Sequence, residues 1–162
     1  MEGERGREIL TPGIRCAAPT VSGKTRGGLV AFHTENKLLL LSHDRKGYTK
    51  MGRLVAATKE LSPSVLYDRY QGLLMEALSA KPTVKKSADV LLHMMGHVKK
   101  VLTADEKQEL LKVITRYREK LIPLIVPVTL IGHYVRKYRV SYLERQVFLN
   151  PHPVELMLRN HV

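Results

Sequence analysis

The most constraining feature of this sequence is a run of apolar residues that recur in alternating steps of four and three. The run consists of Val84, Ala88, Leu91, Met95, Val98 and Leu102. Because such steps bring side chains to one face of an α-helix, the run predicts an amphipathic helix packed against a core. The residues from Thr103 to Glu106 have the Thr-x-x-Glu spacing of a capping box, which indicates that a further helix begins there.

Helical patterns extend over most of the remaining chain. Leu29 to Ser42 contains four consecutive leucines and predicts one buried helix. Further helices are predicted after Gly47, from Ser62-Pro63, over 104–121 with Leu121 on the apolar face, over 128–139, over 142–149 and over 154–160. No segment shows the apolar–polar alternation of a half-buried strand. The sequence therefore predicts an all-α fold, a single compact bundle of about six to eight helices.

The start of the chain has a different composition from the rest. Six of the eleven glycines fall within residues 1–28, together with Pro12, Pro19 and several basic residues, and the stretch has no hydrophobic period. We interpret it as a flexible basic arm, followed by one helical domain over residues 29–162. The alternative is a leader that has no role of its own.

The charge balance indicates the kind of partner. Lysine and arginine total 27 against 15 acidic residues, which gives a formal net charge of +12. Such a surplus attracts a polyanion and accelerates its capture, although it says nothing about fold. Nucleic acid, an anionic membrane surface and an acidic protein are the partner classes that it suggests.

Two properties exclude other classes. The single cysteine, Cys16, rules out an internal disulfide and a cysteine-built zinc or iron–sulfur site, and we expect no cofactor. The most apolar run, Leu121 to Ile131, is far shorter than the roughly 20 residues of a spanning helix and contains two prolines. Since no apolar stretch resembling a signal peptide opens the chain, we expect a cytoplasmic protein with no membrane partner.

A polar face on the helix that begins near Val84 is the first candidate binding surface. Lys86, Asp89, His93, His97 and Lys100 lie opposite its apolar stripe, and cations and imidazoles can donate to phosphates. The alternatives are a merely solvated face and a two-histidine metal site, for which no third ligand is evident. With cations from later helices, the predicted RNA-binding residues are Lys86, His93, His97, Lys99, Lys100, Arg118, His133, Arg136 and Lys137.

Two tyrosines lie among these later cations. Tyr134 and Tyr138 have the spacing of core residues, and beside arginines they could also stack on an unpaired base. Both interpretations remain open from the sequence.

A second candidate consists of polar residues in apolar surroundings. His33, Lys37 and His43 fall in or beside the leucine-rich segment, where a buried cation or imidazole needs a partner. With Gln146 and His152 near the end of the chain they predict a polar pocket; the alternative is a satisfied hydrogen-bond network in the core. No catalytic constellation has diagnostic spacing.

Several motifs together resemble those of the YbgA-like domain family. They are Phe32-His33-x-x-x-Lys37-x-Leu39-Leu40-x-x-His43, His93-Met-x-Gly96-x-x-Lys99-Lys100, Tyr117-Arg118-x-x-Leu121-Ile-Pro-Leu-Ile-Val-Pro127, Tyr142-Leu143-x-x-Gln146 and Pro151-His-Pro153-x-Glu155-Leu156. The family was long a domain of unknown function. It occurs alone or fused behind a cysteine-rich desulfidase domain that removes sulfur from thiouracil compounds through an iron–sulfur cluster.

The resemblance implies thiouridine-containing tRNA as the partner and an RNA-binding role for the helical domain. With one cysteine this chain cannot hold the cluster, so the desulfidase activity does not transfer. We therefore expect an RNA-binding module, with tRNA favoured, that acts with a separate desulfidase protein. The alternatives are a stand-alone enzyme that uses His33, His43 and Asp44 on a nucleotide or RNA, and a protein-interaction scaffold for an acidic partner.

Overall fold

All the regular structure in residues 25–57 and 59–150, the part of the chain that the computed structural model describes, is helical. The helices are α1 (Arg26–Glu35), α2 (Lys37–His43), α3 (Arg45–Ala56), α4 (Pro63–Ser79), α5 (Val84–Val98), α6 (Ala104–Arg118), α7 (Ile125–Lys137), α8 (Ser141–Glu144) and a final 3-10 helix (Val147–Leu149). No strand occurs within these described ranges, which confirms the all-α prediction.

The short helix α2 lies between two apolar clusters. Leu38 and Leu39 pack with residues of α5, α6, α7 and α8, whereas Leu40 packs with residues of α1, α3 and α4. Leu38 and Leu40 are both 0% exposed, and a fully buried leucine contributes roughly 2 kcal/mol. The prediction of a buried helix from the leucine run is thus confirmed, and α2 connects the two halves of the core.

The prediction of one continuous helix over 29–42 is wrong, because the chain leaves the helical conformation at Asn36. The amide of the Asn36 side chain donates to the carbonyl of Phe32 at 2.9 Å. Asparagine competes in this way with the regular helical hydrogen bonds. Helix α1 ends at Glu35 and α2 begins at Lys37, so the lysine stands at a helix start instead of in a helix interior.

Helix starts follow the local signals in the sequence. The capping box is confirmed: the Thr103 hydroxyl accepts from the backbone N–H of Glu106, and the Glu106 carboxylate accepts from the backbone N–H of Thr103. Pro63 is the first residue of α4, as predicted. Helix α3 begins at Arg45, ahead of Gly47, because the Asp44 carboxylate accepts from the N–H of Lys46 at 2.9 Å.

The connection between α6 and α7 differs from the prediction. Leu121 is 64% exposed and does not belong to the apolar face of α6. Helix α6 has already ended at Arg118, and Lys120 turns the chain with a positive φ of 61°. Helix α7 then begins at Ile125 and holds Pro127 in its first turn, where a proline costs no helical hydrogen bond.

The helices near the two ends of the described part of the chain differ from the predicted ones. Helix α1 begins at Arg26, three residues before the predicted start at Leu29, and the predicted helix over 142–149 is divided into α8 and the 3-10 helix. Residues 1–24 and 151–162, which include most of the predicted arm and the predicted helix over 154–160, lie outside the described residues. None of the helices in the described ranges combines the length and the apolar character needed to cross a membrane.

Candidate functional site

The charge surplus belongs almost entirely to the helical part of the chain. Residues 25–57 and 59–150 contain 22 lysines and arginines against 11 acidic residues, a net charge of +11 of the total +12. Residues 1–24 contain four basic and three acidic residues. Attraction of a polyanion therefore depends on the folded helices and only slightly on the predicted basic arm.

His93 of α5 lies among positive groups from three helices. Its pKa is lowered, first by partial burial and then by the charges of Lys37, His97 and Arg45. Lys37 is the first residue of α2 and Arg45 is the first residue of α3. Neither cation forms an ion pair with any carboxylate in the described part of the chain. Lys37 and Arg45 therefore make the surroundings of His93 electropositive, and among the described residues no paired carboxylate neutralises either cation.

Three rings form a row at this surface. The ring centroids of His93 and His97 are 5.1 Å apart at an interplanar angle of 76°, and those of His97 and Tyr142 are 4.9 Å apart at 38°. The two imidazoles are exposed, whereas Tyr142 of α8 is half-buried. We refer to Lys37, Arg45, His93, His97 and Tyr142 as the His93 cluster.

Tyr142 has an unusual hydroxyl group. Its oxygen is buried and has no hydrogen-bond partner among the described residues, and burial raises the pKa of the phenol. Buried polar side-chain atoms are paired in the large majority of cases. An unpaired hydroxyl is therefore a feature of the His93 cluster that packing alone does not explain.

His33, the first residue of the predicted pocket, belongs to a satisfied network in the core. It is 7% exposed, its ring stacks on that of Tyr48 at 4.8 Å, and its Nδ1 shares a 3.2 Å hydrogen bond with the Tyr70 hydroxyl. Burial, and then the charge of Lys37, lower the pKa of His33. Lys37 thus acts on two histidines, one inside the core and one at the surface.

The other members of the predicted pocket occupy separate positions. The Nδ1–H of His43 donates to the carbonyl of Ala80 at 2.8 Å, which fixes the end of α2 against the end of α4. A cavity of about 160 Å³ lies beside His43 and is also lined by Ser42, Ser87 and Phe148, but not by His33, Lys37 or Gln146. His152 lies outside the described residues.

Gln146 joins the two sides of the break at Asn36. Its Oε1 accepts from the backbone N–H of Leu38 at 3.3 Å, and its Nε2 donates to the carbonyl of Thr34 at 2.9 Å. At 1% exposure the carboxamide is enclosed by the protein. The core-network interpretation therefore accounts for the contacts of both His33 and Gln146.

Lys86 does not face outward as the helical projection predicts. Its ammonium group donates to the carbonyls of His43 at 2.6 Å and Lys81 at 3.3 Å. The flexible stem of a lysine allows the charge to reach back to such groups. Lys86 therefore binds the last carbonyl of α2 and the connection before α5.

The remaining predicted cations stand at helix ends. Lys99 and Lys100 follow the last residue of α5, Arg118 ends α6, and Arg136 and Lys137 end α7. Positive side chains at a helix C-terminus interact favourably with the helix dipole, typically by 0.3–1 kcal/mol. Local helix electrostatics therefore explain these five positions without a ligand.

Lys137 also takes part in a network with the start of α6. Its Nζ lies 2.7 Å from Oε1 of Glu106, and the Tyr138 hydroxyl donates to Oε2 of the same carboxylate at 2.8 Å. These hydrogen bonds, with that from Thr103, lower the pKa of Glu106 to about 2. The hydroxyl of the buried Tyr134 donates to Glu109 in the same way, at 3.2 Å.

His133 and Arg136 lie on the exposed side of α7. The ring of His133 meets that of Tyr134 at 62°, with centroids 5.5 Å apart. The Arg136 guanidinium folds back along the helix, so that its Nη1 would be 3.4 Å from a Cβ placed on Gly132. Neither residue is brought to the His93 cluster by any of these contacts.

The fold does not keep the two predicted sets of site residues separate. The fold joins His93 and His97 from one predicted set with Lys37 from the other, and adds Arg45 and Tyr142, which belonged to neither. Tyr142 stands in a family motif, which is the signal that could have found it. The described residues contain no group of three or more histidine, cysteine, aspartate or glutamate side chains suited to a metal ion.

The comparisons with known proteins agree on one family. The model of a protein family of unknown function, DUF1722, matches residues 37–153. The uncharacterized protein YbgA of Escherichia coli (strain K12) is 30% identical over 139 residues, which cover 85% of this chain and 82% of the relative. No solved structure matches the chain. With its all-α fold and the family motifs in place, the chain belongs to the DUF1722 family, to which the YbgA-like resemblance pointed.

Proposed function

We propose that this chain is a cytoplasmic RNA-binding module, with tRNA as the favoured RNA, that acts beside a separate thiouridine-processing desulfidase. The observation that carries the proposal is the convergence of Lys37, Arg45, His93 and His97 from three helices. Lys37 and Arg45 carry like charges, so their grouping without a paired carboxylate costs stability in the free protein. An anionic ligand would relieve that repulsion.

The positions of the cations give the second support. Lys37 is the first residue of α2, which has no acidic residue in its first turn, and Arg45 and Lys46 occupy the first turn of α3 after the Asp44 carboxylate that caps it. The start of a helix carries positive backbone charge, so cations are unfavourable there and phosphate groups are favoured. Residues that break a local rule of this kind are expected at functional sites.

The choice of tRNA, and of a desulfidase as companion, rests on the family resemblance. Fused relatives join the helical domain to a desulfidase domain, which suggests that a separate enzyme supplies the chemistry for this chain. Lys99, Lys100, Arg118 and Arg136 would add general attraction for the RNA backbone around the His93 cluster. Phosphate contacts of this kind position an RNA without reading its sequence.

The stand-alone enzyme hypothesis lacks an assembled site. His33 is held by Tyr70 and Tyr48, His43 donates to Ala80, and the Asp44 carboxylate caps α3. An acidic protein partner remains the alternative occupant of the electropositive surface, and the binding experiment distinguishes the two.

The test is the binding of bulk tRNA, measured by fluorescence anisotropy over a series of salt concentrations with duplex DNA as competitor. We expect a preference for tRNA and a slope of log affinity against log salt that becomes shallower in the Lys37→Glu/Arg45→Glu variant. Each lost phosphate contact lowers the slope by about 0.7–0.9, which corresponds to roughly 30-fold weaker binding near 0.1 M salt for two contacts.

The Lys99→Glu/Lys100→Glu variant is the matched control, because it changes the net charge by the same amount at a different place. We expect it to weaken binding by only about threefold through the general field. If both variants lose the same affinity for tRNA, the attraction depends only on net charge, and the His93 cluster is rejected as the binding site. Weak binding of the unaltered protein, equal for tRNA and DNA, would reject the RNA-binding function and favour the acidic protein partner.

A further inference from the structure

The ring row of the His93 cluster suggests what part of an RNA meets this surface. His93 and His97 are exposed and meet nearly edge to face, with an angle of 76° between their planes. In such a pair the edge of one ring covers only one of the four ring faces. Ring faces that remain uncovered can stack on a nucleobase, since every base has a π-face.

Two cations near the rings would attract the backbone of the same nucleotide. Lys37 and Arg45 begin neighbouring helices, and the positive charge of each contributes to the lowered pKa of His93. A phosphate attracted by these charges would belong to a nucleotide whose base can reach the exposed imidazoles. Because bases in a duplex are stacked on one another, this arrangement can engage only a nucleotide whose base is unpaired.

The geometry points to a binding site for one unpaired RNA nucleotide, with the base stacked on an open ring face of His93 or of His97 and the phosphate held by Lys37 and Arg45. The inference rests on the proposed RNA-binding function and names the feature of RNA that this site recognises. The ring of Tyr142 packs against that of His97, with the ring centroids 4.9 Å apart, and so helps to fix the orientation of the imidazole. Loops and ends of tRNA offer such unpaired nucleotides, whereas a regular duplex does not.

A metal site is the competing explanation for two histidines one helical turn apart. Such a site needs three or four protein ligands, and among the described residues His93 and His97 belong to no group of three histidine, cysteine, aspartate or glutamate side chains suited to a metal ion. The neighbouring Lys37 and Arg45 would also repel a cation. The chemistry of the cluster therefore suits an anionic aromatic ligand.

The test uses a short single-stranded RNA with 2-aminopurine at alternate positions, because the fluorescence of this base responds to stacking. We expect the full-length protein to change the fluorescence on binding. The His93→Ala/His97→Ala variant should lose the change and bind about tenfold more weakly, which is the lower range for loss of one stacked base. The same RNA annealed to its complement should give no change.

Two further variants make the result specific. His93→Phe/His97→Phe keeps aromatic faces and should retain the fluorescence change, which separates stacking from loss of the imidazole. Gln108→Ala removes an exposed polar side chain of α6 that belongs to neither predicted site, and should behave like the unaltered protein. Circular dichroism confirms that each variant is folded.

The outcomes separate the inference from the function on which it rests. If His93→Ala/His97→Ala matches the unaltered protein in fluorescence change and affinity while tRNA binding stays salt-dependent, the nucleotide-binding site is rejected and the RNA-binding function stands. If the unaltered protein binds neither tRNA nor the single-stranded RNA, both are rejected.

Discussion

The carboxamide of Gln146 accepts a hydrogen bond from the backbone N–H of Leu38, 108 residues earlier in the chain. The same side chain donates to the carbonyl of Thr34. It thereby pairs two backbone groups at the point where α1 and α2 separate. The position of Lys37, which lies between these two residues, depends on that bridge.

We expect Gln146→Leu to lower the free energy of unfolding by about 1–3 kcal/mol. The substitution is close in size, but it leaves the buried N–H of Leu38 without the carboxamide partner, and such a group costs about 1–3 kcal/mol. The carbonyl of Thr34 keeps the backbone N–H of Asn36 as a donor. Urea denaturation measures the change. Gln108→Leu, at an exposed position of α6, is the control and should stay within about 0.5 kcal/mol of the unaltered protein. Equal values for the two variants would show that the bridge is dispensable.

Charge reversal at helix starts and helix ends should have opposite effects on stability. Lys37→Glu/Arg45→Glu places acidic groups at the starts of α2 and α3 and should raise the free energy of unfolding by about 0.3–1 kcal/mol per site. Lys99→Glu/Lys100→Glu places them at the end of α5 and should lower it by a similar amount. Thermal unfolding at low salt measures both.

This pair of results also controls the binding experiment. If Lys37→Glu/Arg45→Glu weakens tRNA binding while the melting temperature rises, loss of folding is excluded as the cause. A lower melting temperature for that variant would instead show that the two cations stabilise the fold, and the argument for a functional site would lose its basis.

Local signals in the sequence explain how much of the fold could be predicted. The capping box at Thr103 and the proline at the start of α4 act within one helical turn, so they are visible in sequence. The leucine run around Leu38 is apolar on every side and is buried in any fold. The break at Asn36 was missed because it is completed by Gln146 from the far end of the chain.

The candidate site was only partly predictable for the same reason. The helical projection placed His93 and His97 on one polar face, which the structure bears out. It could not show that the charge of Arg45 acts on His93, because that influence depends on the packing of α2, α3 and α5. It also could not show that the stem of Lys86 turns inward to the carbonyl of His43.

The influence of Lys37 on two histidines can be measured directly. Its positive charge lowers the pKa of both His33 and His93, so Lys37→Gln should raise both. NMR titration of the imidazole resonances measures the change. Lys137→Gln removes the same charge at the end of α7 and should leave both pKa values where they are. If the pKa of His93 is the same in Lys37→Gln as in the unaltered protein, the placement of Lys37 in the His93 cluster is contradicted.

The low pKa of Glu106 predicts acid sensitivity at the start of α6. Because its pKa falls from 4.5 to about 2 on folding, the ionised carboxylate stabilises the protein above pH 4.5. This contribution is lost as the pH falls from 4.5 towards 2. Glu106→Gln should unfold with less pH dependence in that window, as measured by urea denaturation at several pH values. An unchanged pH profile would mean that Lys137 and Tyr138 do not hold the carboxylate in solution.

The unpaired hydroxyl of Tyr142 gives the last prediction. Tyr142→Phe removes a buried polar atom that has no partner among the described residues, so it should leave the free energy of unfolding unchanged or raise it by up to about 1 kcal/mol. Tyr70→Phe is the matched control: it removes the hydroxyl that is bonded to His33 and should lower the free energy by about 1 kcal/mol. Urea denaturation of both variants measures the difference.

If Tyr142→Phe is as destabilising as Tyr70→Phe, the Tyr142 hydroxyl has a hydrogen-bond partner in solution, and the His93 cluster contains no unpaired polar group. If instead it is neutral or stabilising, the chain retains at this cluster a hydroxyl that its own stability does not require, as expected where binding a ligand has shaped the residues.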